Sequence, residues 1–123
     1  MKNNVLLIVG LPGSGKTSWA IQNMCNKNYH LIDDPKSIDL DIKPFLGSDL
    51  IVCDPHLCNK KTLNYCIDYF KSNNYDVKVL YFDNNKEQAL INSKKRNKKV
   101  VKFIDIMSRI YNPPRVDLKV YKE

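Results

Sequence analysis

Gly10-Leu11-Pro12-Gly13-Ser14-Gly15-Lys16-Thr17 is the stretch that decides how this chain folds. It fits the spacing G-x-x-x-x-G-K-[ST], and both flanks have the character such a loop requires. Before it, Val5 to Val9 is an unbroken apolar run, short and β-branched enough for a strand buried on both faces. After it, Thr17 to Met24 carries Trp19, Ala20 and Met24 at helical spacing. Strand, glycine-rich turn and helix follow in the order that builds a phosphate cradle. Glycines let the backbone curl until its N–H groups converge on an anion, and the helix N-terminus adds free donors and partial positive charge. In that geometry Gly10 to Thr17, with Ser18, hold the phosphates of ATP or another nucleoside triphosphate. Lys16 reaches the β- and γ-phosphates, and Thr17 offers its hydroxyl to Mg²⁺. The Lys16 side chain is expected to face solvent when no nucleotide is bound. The plain alternative is a glycine-rich turn that binds nothing.

A chain of 123 residues buries one core and leaves little room for a second domain, so residues 1–123 read as a single unit. Apolar residues at 43% and charged residues at 27% describe a soluble globular protein. No apolar run reaches the length of a membrane span, and the run from Val5 is too short for a signal-peptide core. The expected location is the cytoplasm, or the host-cell cytoplasm if the chain is viral, with no membrane partner. Cys25, Cys53, Cys58 and Cys66 form no C-x-x-C, and His30 and His56 stand at no zinc-site spacing, so the thiols read as reduced and partly buried. The net charge of +7 suits a polyanionic partner, although free nucleotides are anions too.

Further along, Tyr29 to Ile32 reads as a short second strand ending at Asp33-Asp34-Pro35. Proline biases Asp34 towards extended geometry and suits the first turn of a following helix. Acidic residues at the C-terminal end of such a strand lie beside the ligand crevice of an α/β sheet, while aspartate before proline is also a good helix cap. Both roles fit this pair, one for each aspartate. Asp39 to Gly47 is a weakly patterned connection, with a short helix broken at Pro44. Leu50 to Cys53 is the next buried strand and stops at Asp54, which either approaches magnesium or initiates a turn before Pro55. Lys60 to Lys71 is a helix with Leu63, Cys66, Ile67 and Phe70 on one stripe, ended by Asn73-Asn74. Val77 to Phe82 is the fourth strand and Lys86 to about Lys95 the next helix, with Ala89, Leu90 and Ser93 inward. Lys94, Lys95, Arg96, Lys98, Lys99 and Lys102 then place six bases within nine residues. Phe103 to Tyr111 is amphipathic, Pro113-Pro114 stops it, and Val116 to Tyr121 is a last short strand or tail.

Strands interleaved with helices predict an α/β fold, a mostly parallel sheet of four to five strands flanked by helices in three layers, as in P-loop kinases. Phosphoryl transfer needs a cradle, Mg²⁺, a carboxylate near the incoming hydroxyl, and cations over the transferring group. The loop, Asp33 and the segment from Lys94 to Lys99 are the candidates. That segment, within a lid of about residues 92–103, reads in three ways: a lid, a nucleic-acid patch, or a solvated helix face.

The stretch from Gly10 to Thr17 with Ser18-Trp19-Ala20 resembles the start of the 5′-kinase domain of the T-even bacteriophage polynucleotide kinase-phosphatases. The likeness continues through Asp33-Asp34, Ile51-Val52-Cys53-Asp54, Phe82-Asp83, the Lys-Arg-rich segment, and Ile104-Asp105-Ile106 with Tyr111. It implies a 5′-hydroxyl polynucleotide kinase using ATP and Mg²⁺. The family's general-base aspartate falls on Asp33, its substrate-phosphate arginine on Lys36, its strand-end aspartate on Asp54, and its lid arginine on Arg96. Lysine at 36 lacks the bidentate fork of arginine. The lid holds one arginine where the family has two, so Lys95, Lys98 or Lys99 share its role. The segment between Trp19 and Asp33 is shorter than in the family, which leaves the base on either Asp33 or Asp34. No Asp-x-Asp-Gly-Thr segment occurs, and no fused phosphatase is expected. A kinase for a small metabolite or nucleoside would use the same loop and base. A nucleotide-dependent binding module would need no carboxylate at all.

Overall fold

Every apolar run picked out above becomes a parallel strand of one sheet. The computed structural model describes residues 2–24, 28–93 and 98–120. Strands β1 (Asn3–Val9), β2 (His30–Asp33), β3 (Leu50–Cys53) and β4 (Tyr75–Tyr81) stand in the order β2-β3-β1-β4, all parallel. Val5 lies opposite Leu50 on one side and Val77 on the other, so β1 is bonded along both edges. Its residues from Val5 to Val9 are all buried. A fully buried Val, Leu or Ile contributes about 1.5–3 kcal/mol, which makes β1 the rigid post from which the loop hangs.

Alternation along the strands splits the core into two layers. Leu6, Ile8, Ile51 and Cys53 face helix α1 (Lys16–Met24), packing with Ala20, Trp19 and Met24. Val5, Leu7, Val9, Leu50 and Val52 face the other way. There they meet α2 (Lys60–Ser72) through Leu63 and Phe70, α3 (Lys86–Asn92) through Ala89, and α4 (Lys98–Ile110) through Ile104 and Met107. The result is a three-layer α/β arrangement of four strands flanked by helices. Because all strands run the same way, their C-terminal ends share one edge. The chain leaves β1 on that edge between neighbours β3 and β4, where α/β sheets open their ligand crevice.

Several local expectations need correction. Asp34 is not extended: its φ is +51°, in the left-handed region that aspartate tolerates better than most residues. Its N–H still bonds Cys53 O at 2.7 Å, which prolongs the β2–β3 ladder by one residue before the chain swings away. Pro35 opens no helix. The next helical turn, Ile38–Ile42, has π geometry and is capped by Ser37, whose hydroxyl accepts from Leu40 N. Asp41 supports it by accepting from the N–H groups of Lys36 and Ser37. Pro44 does not break this turn but sits inside a following 3₁₀ turn, Lys43–Phe45. The tail forms no fifth strand among the described residues; it makes one parallel bridge, Leu118 to Phe82, beside β4. Helix α3 ends at Asn92 and is capped by Ser93, one residue into the expected remainder of its span, and Lys94 and Lys95 lie outside the described residues.

Candidate functional site

Helix α1 begins at Lys16, so the glycine-rich loop delivers the chain directly into a helix N-terminus. The loop can do so because Gly13 and Gly15 adopt φ of +80° and +93°, which a side chain would resist. Gly10 is needed for a different reason. A Cβ there would stand 2.7 Å from Ser14 Oγ and 2.9 Å from Phe82 Cβ, because β1 and β4 end side by side.

Outside this loop lies an open cleft of about 260 Å³. Pro12, Gly13, Gly15, Lys16, Thr17 and Ser18 form one wall, and Asp33, Asp34 and Pro55 face it. Val100 and Phe103, from the first turns of α4, close a side. Gly10, Leu11 and Ser14 do not line the cleft; they are buried behind it, Leu11 and Ser14 with no exposed surface. Of the residues read as nucleotide-binding, Pro12, Gly13, Gly15, Lys16, Thr17 and Ser18 meet the open space, which the spacing of the motif alone did not distinguish.

Lys16 corrects the expectation of a solvent-facing side chain. It is only 7% exposed, and its ammonium donates to Gly10 O at 3.0 Å and Leu11 O at 2.9 Å. Burial lowers its pKa from 10.5, while nearby Cys58, Cys53, Asp33 and Asp54 pull the other way. The lysine lies folded into its own loop, partnered by carbonyls that a stronger anionic acceptor can replace. Burial also pushes the Cys53 and Cys58 thiols up to about 12, so neither is ionised near neutral pH.

Asp33 closes β2 on the last rung of the ladder with β3 and is exposed at the cleft. Asp34 lines the cleft and also a second, larger pocket of about 520 Å³. Lys36 and Asp54 belong to that second pocket, with Ile38, Thr62 and Tyr65. Asp54 serves as a turn initiator: its Oδ1 accepts from His56 N at 2.9 Å and caps the 3₁₀ turn Pro55–Cys58. It is 8% exposed, and it remains close enough to Lys16 to act on its charge. Arg96, Lys94 and Lys95 lie outside the described residues. Lys98 lies in a groove with Lys86 and Lys102 between α3 and α4, rather than among the residues of the cleft.

Some site residues were missed in the sequence. His56 sets Nδ1 2.9 Å from Asp54 Oδ1 and tilts its ring against Phe103 at 5.1 Å, joining the end of β3 to α4. Asp34, Asp54 and His56 each offer one ligand atom, all within 4.8 Å of one another. The Asp-x-His spacing was a signal for this contact; Val100 and Phe103 had none, since an amphipathic helix does not announce which neighbour it meets.

No family model matches the chain. It is 27% identical over 127 residues to the uncharacterized protein R277 of Acanthamoeba polyphaga mimivirus, across 91% of this chain and 88% of that protein. Among the described residues no helix is long and apolar enough to cross a membrane.

Proposed function

We infer that the chain is a P-loop phosphotransferase that moves the γ-phosphoryl group of ATP, or another nucleoside triphosphate, to the 5′-hydroxyl of an RNA or DNA end. One observation carries this reading: a single cleft has the glycine-rich loop, Lys16 and Thr17 on one wall and Asp33 with Asp34 on the other. The residues present fit a magnesium–triphosphate. Gly13 and Gly15 in the left-handed region curl the loop at the cleft, and Thr17 and the carboxylates are the hard oxygen donors that Mg²⁺ takes. When bound, the ion neutralises charge on the phosphates.

The chain's own part follows from this arrangement. Lys16 exchanges its two carbonyl partners for phosphate oxygens. The loop N–H groups and the α1 N-terminus hold the β- and γ-phosphates. The acceptor end occupies the second pocket, near Lys36 and Asp54, and presents its hydroxyl where the two pockets share Asp34. Asp33 orients that hydroxyl and takes its proton while the new O–P bond forms and the bond from the γ-phosphorus to the β–γ bridging oxygen breaks. Arg96 precedes α4 in the chain, and its role as a cation over the transferring group comes from the sequence resemblance. Work on nucleic-acid ends, as in repair, and a cytoplasmic location (the host's, if the chain is viral) go with this reading.

The test is transfer of labelled γ-phosphate to 5′-OH oligoribonucleotides, oligodeoxynucleotides and free nucleosides side by side. Labelled oligonucleotides support the proposal. Labelling of nucleosides alone would make the chain a small-molecule kinase, and ATP binding without transfer to any acceptor would make it a binding module.

A further inference from the structure

The tip of the loop is gripped from outside the cleft. Asn92, the last residue of α3, donates from Nδ2 to Gly13 O at 2.8 Å. Gln88 Nε2 donates to Asn92 Oδ1 at 2.9 Å, so the amide is oriented from both ends. The next residue, Ser93, closes the helix by donating its N–H to Ala89 O and Leu90 O. A Cβ on Gly13 would stand 2.3 Å from Ser93 Oγ and 2.7 Å from Ala89 O, so the last turn of α3 lies directly on the Gly13 backbone. Glycine is required there twice over, by its φ and by this helix.

One atom at this junction has no evident use. Ser93 Oγ is fully buried and has no hydrogen-bond partner among the described residues. A buried hydroxyl left unpaired is a standing cost that alanine would avoid. The geometry of the peptide between Gly13 and Ser14 suggests where its partner comes from. Ser14 N donates to Leu11 O at 3.1 Å, a bond internal to the loop. A polyphosphate attracts that N–H into the cleft. Because the peptide is planar, its carbonyl turns with the N–H, and Gly13 O, already bonded to Asn92 on the outer side of the loop, is re-aimed among the donors there. The donors standing outside are Asn92 Nδ2 and Ser93 Oγ.

We propose that Asn92 and Ser93 are positioning residues for the phosphate loop. Asn92 holds the Gly13 carbonyl in the empty protein, and the Ser93 hydroxyl becomes its second donor when polyphosphate fills the loop. The inference rests on the reading of the loop as a triphosphate cradle. It adds that α3, which contributes no residue to the cleft, favours the occupied form.

The test compares Ser93→Ala with the wild-type chain in two measurements, thermal stability without ligand and affinity for ATP–Mg²⁺ and for inorganic pyrophosphate. The hydroxyl is unpaired in the empty protein, so the variant should melt at the same temperature or higher. Its affinity for both ligands should fall about three- to tenfold, the worth of one neutral hydrogen bond. Opposite signs of this kind do not arise from a packing defect. Asn92→Ala should speed amide exchange from Gly13 to Gly15 in the empty protein, a readout independent of any ligand. Ser93→Ala with unchanged affinity overturns the recruitment, and so does a parallel fall in stability and affinity. A wild-type chain that binds neither ATP nor pyrophosphate overturns the nucleotide reading itself, and the recruitment with it.

Discussion

Replacing Lys16 by methionine should stabilise the empty protein while removing its affinity for nucleotide. Methionine keeps the length of the buried stem and deletes only the ammonium. Two hydrogen bonds go with it, to Gly10 O and Leu11 O. Leu11 O keeps a donor, because Ser14 N also bonds it, so among the described residues only Gly10 O is left without its donor. An orphaned carbonyl costs about 1–3 kcal/mol. Against this stands the desolvation of an ammonium, several kcal/mol in a protein interior even after relaxation. The lowered pKa of Lys16, caused first by burial, says that its carbonyl, thiol and carboxylate neighbours do not fully offset that cost. The difference is a gain of about 1 kcal/mol, which for a domain of this size raises Tm by roughly 3–6 °C.

The pH dependence gives an independent sign. Below the lowered folded pKa of Lys16, both folded and unfolded lysine are charged and the burial cost is fully present. As pH rises through that value towards the unfolded 10.5, the folded protein sheds the proton first and the cost is relieved. The advantage of Lys16→Met should therefore be largest below the lowered folded pKa and shrink as pH rises through it. Thermal melts from pH 6 to 10, paired with ATP titration at pH 7, measure both effects. A variant that melts well below the wild type, or whose advantage grows with pH, would show that the two carbonyl bonds outweigh desolvation and that Lys16 is a structural strut.

Asp33→Asn should cut phosphoryl transfer by about 10²-fold or more while ATP–Mg²⁺ binding stays nearly intact, as expected for loss of a general base. Asp34→Asn should cost on the order of tenfold or less, and a dead Asp34 variant beside an active Asp33 variant would move the base by one residue. Burial raises Cys53 and Cys58 from 9.0 to about 12, so the native chain keeps protons that the unfolded chain releases. Stability should then fall as pH climbs from about 9 towards 12, and Cys58→Ala should flatten that alkaline limb in melts against pH. Lys98→Gln with Lys102→Gln should weaken oligonucleotide binding and reduce the slope of log affinity against log salt by about 0.7 for each phosphate that is no longer neutralised; an unchanged slope would leave these lysines as a solvated face.

The strands were legible because a strand buried on both faces has no alternative composition. Val5 to Val9 and Leu50 to Cys53 are continuous apolar runs, and both became central strands. The stretch around Pro35 was less legible because the decisive bond is not local. Asp34 takes φ +51° while bonding the carbonyl of Cys53, a residue 19 positions away, and that ladder bond overrides the usual preference of a residue before proline. The helix start moved to Ser37 for a related reason. Ser37 and Asp41 satisfy the first N–H groups between them, so Pro35 and Asp34 were not needed as a cap.

The site is marked by residues that the fold alone does not explain. Among the described residues, the buried polar and charged side chains are Ser14, Lys16, Asp54 and Ser93. Ser14 and Lys16 belong to the loop, Ser93 lies against Gly13, and Asp54 acts on the charge of Lys16. Elsewhere the core is apolar, so a chain of this composition had no difficulty filling its interior with hydrocarbon. Two of the four hydroxyl and charged groups have no hydrogen-bond partner among the described residues, and a third is an ammonium held against its own desolvation. Departures from good packing scattered over the molecule would be noise. Concentrated around one glycine-rich loop, they are the pattern of a surface shaped for something other than stability. The motif could name Lys16 and Ser14 in advance, because they lie inside it. It could not name Ser93, 80 residues from Gly13 in sequence, since only the packing of α3 on the loop brings the two together.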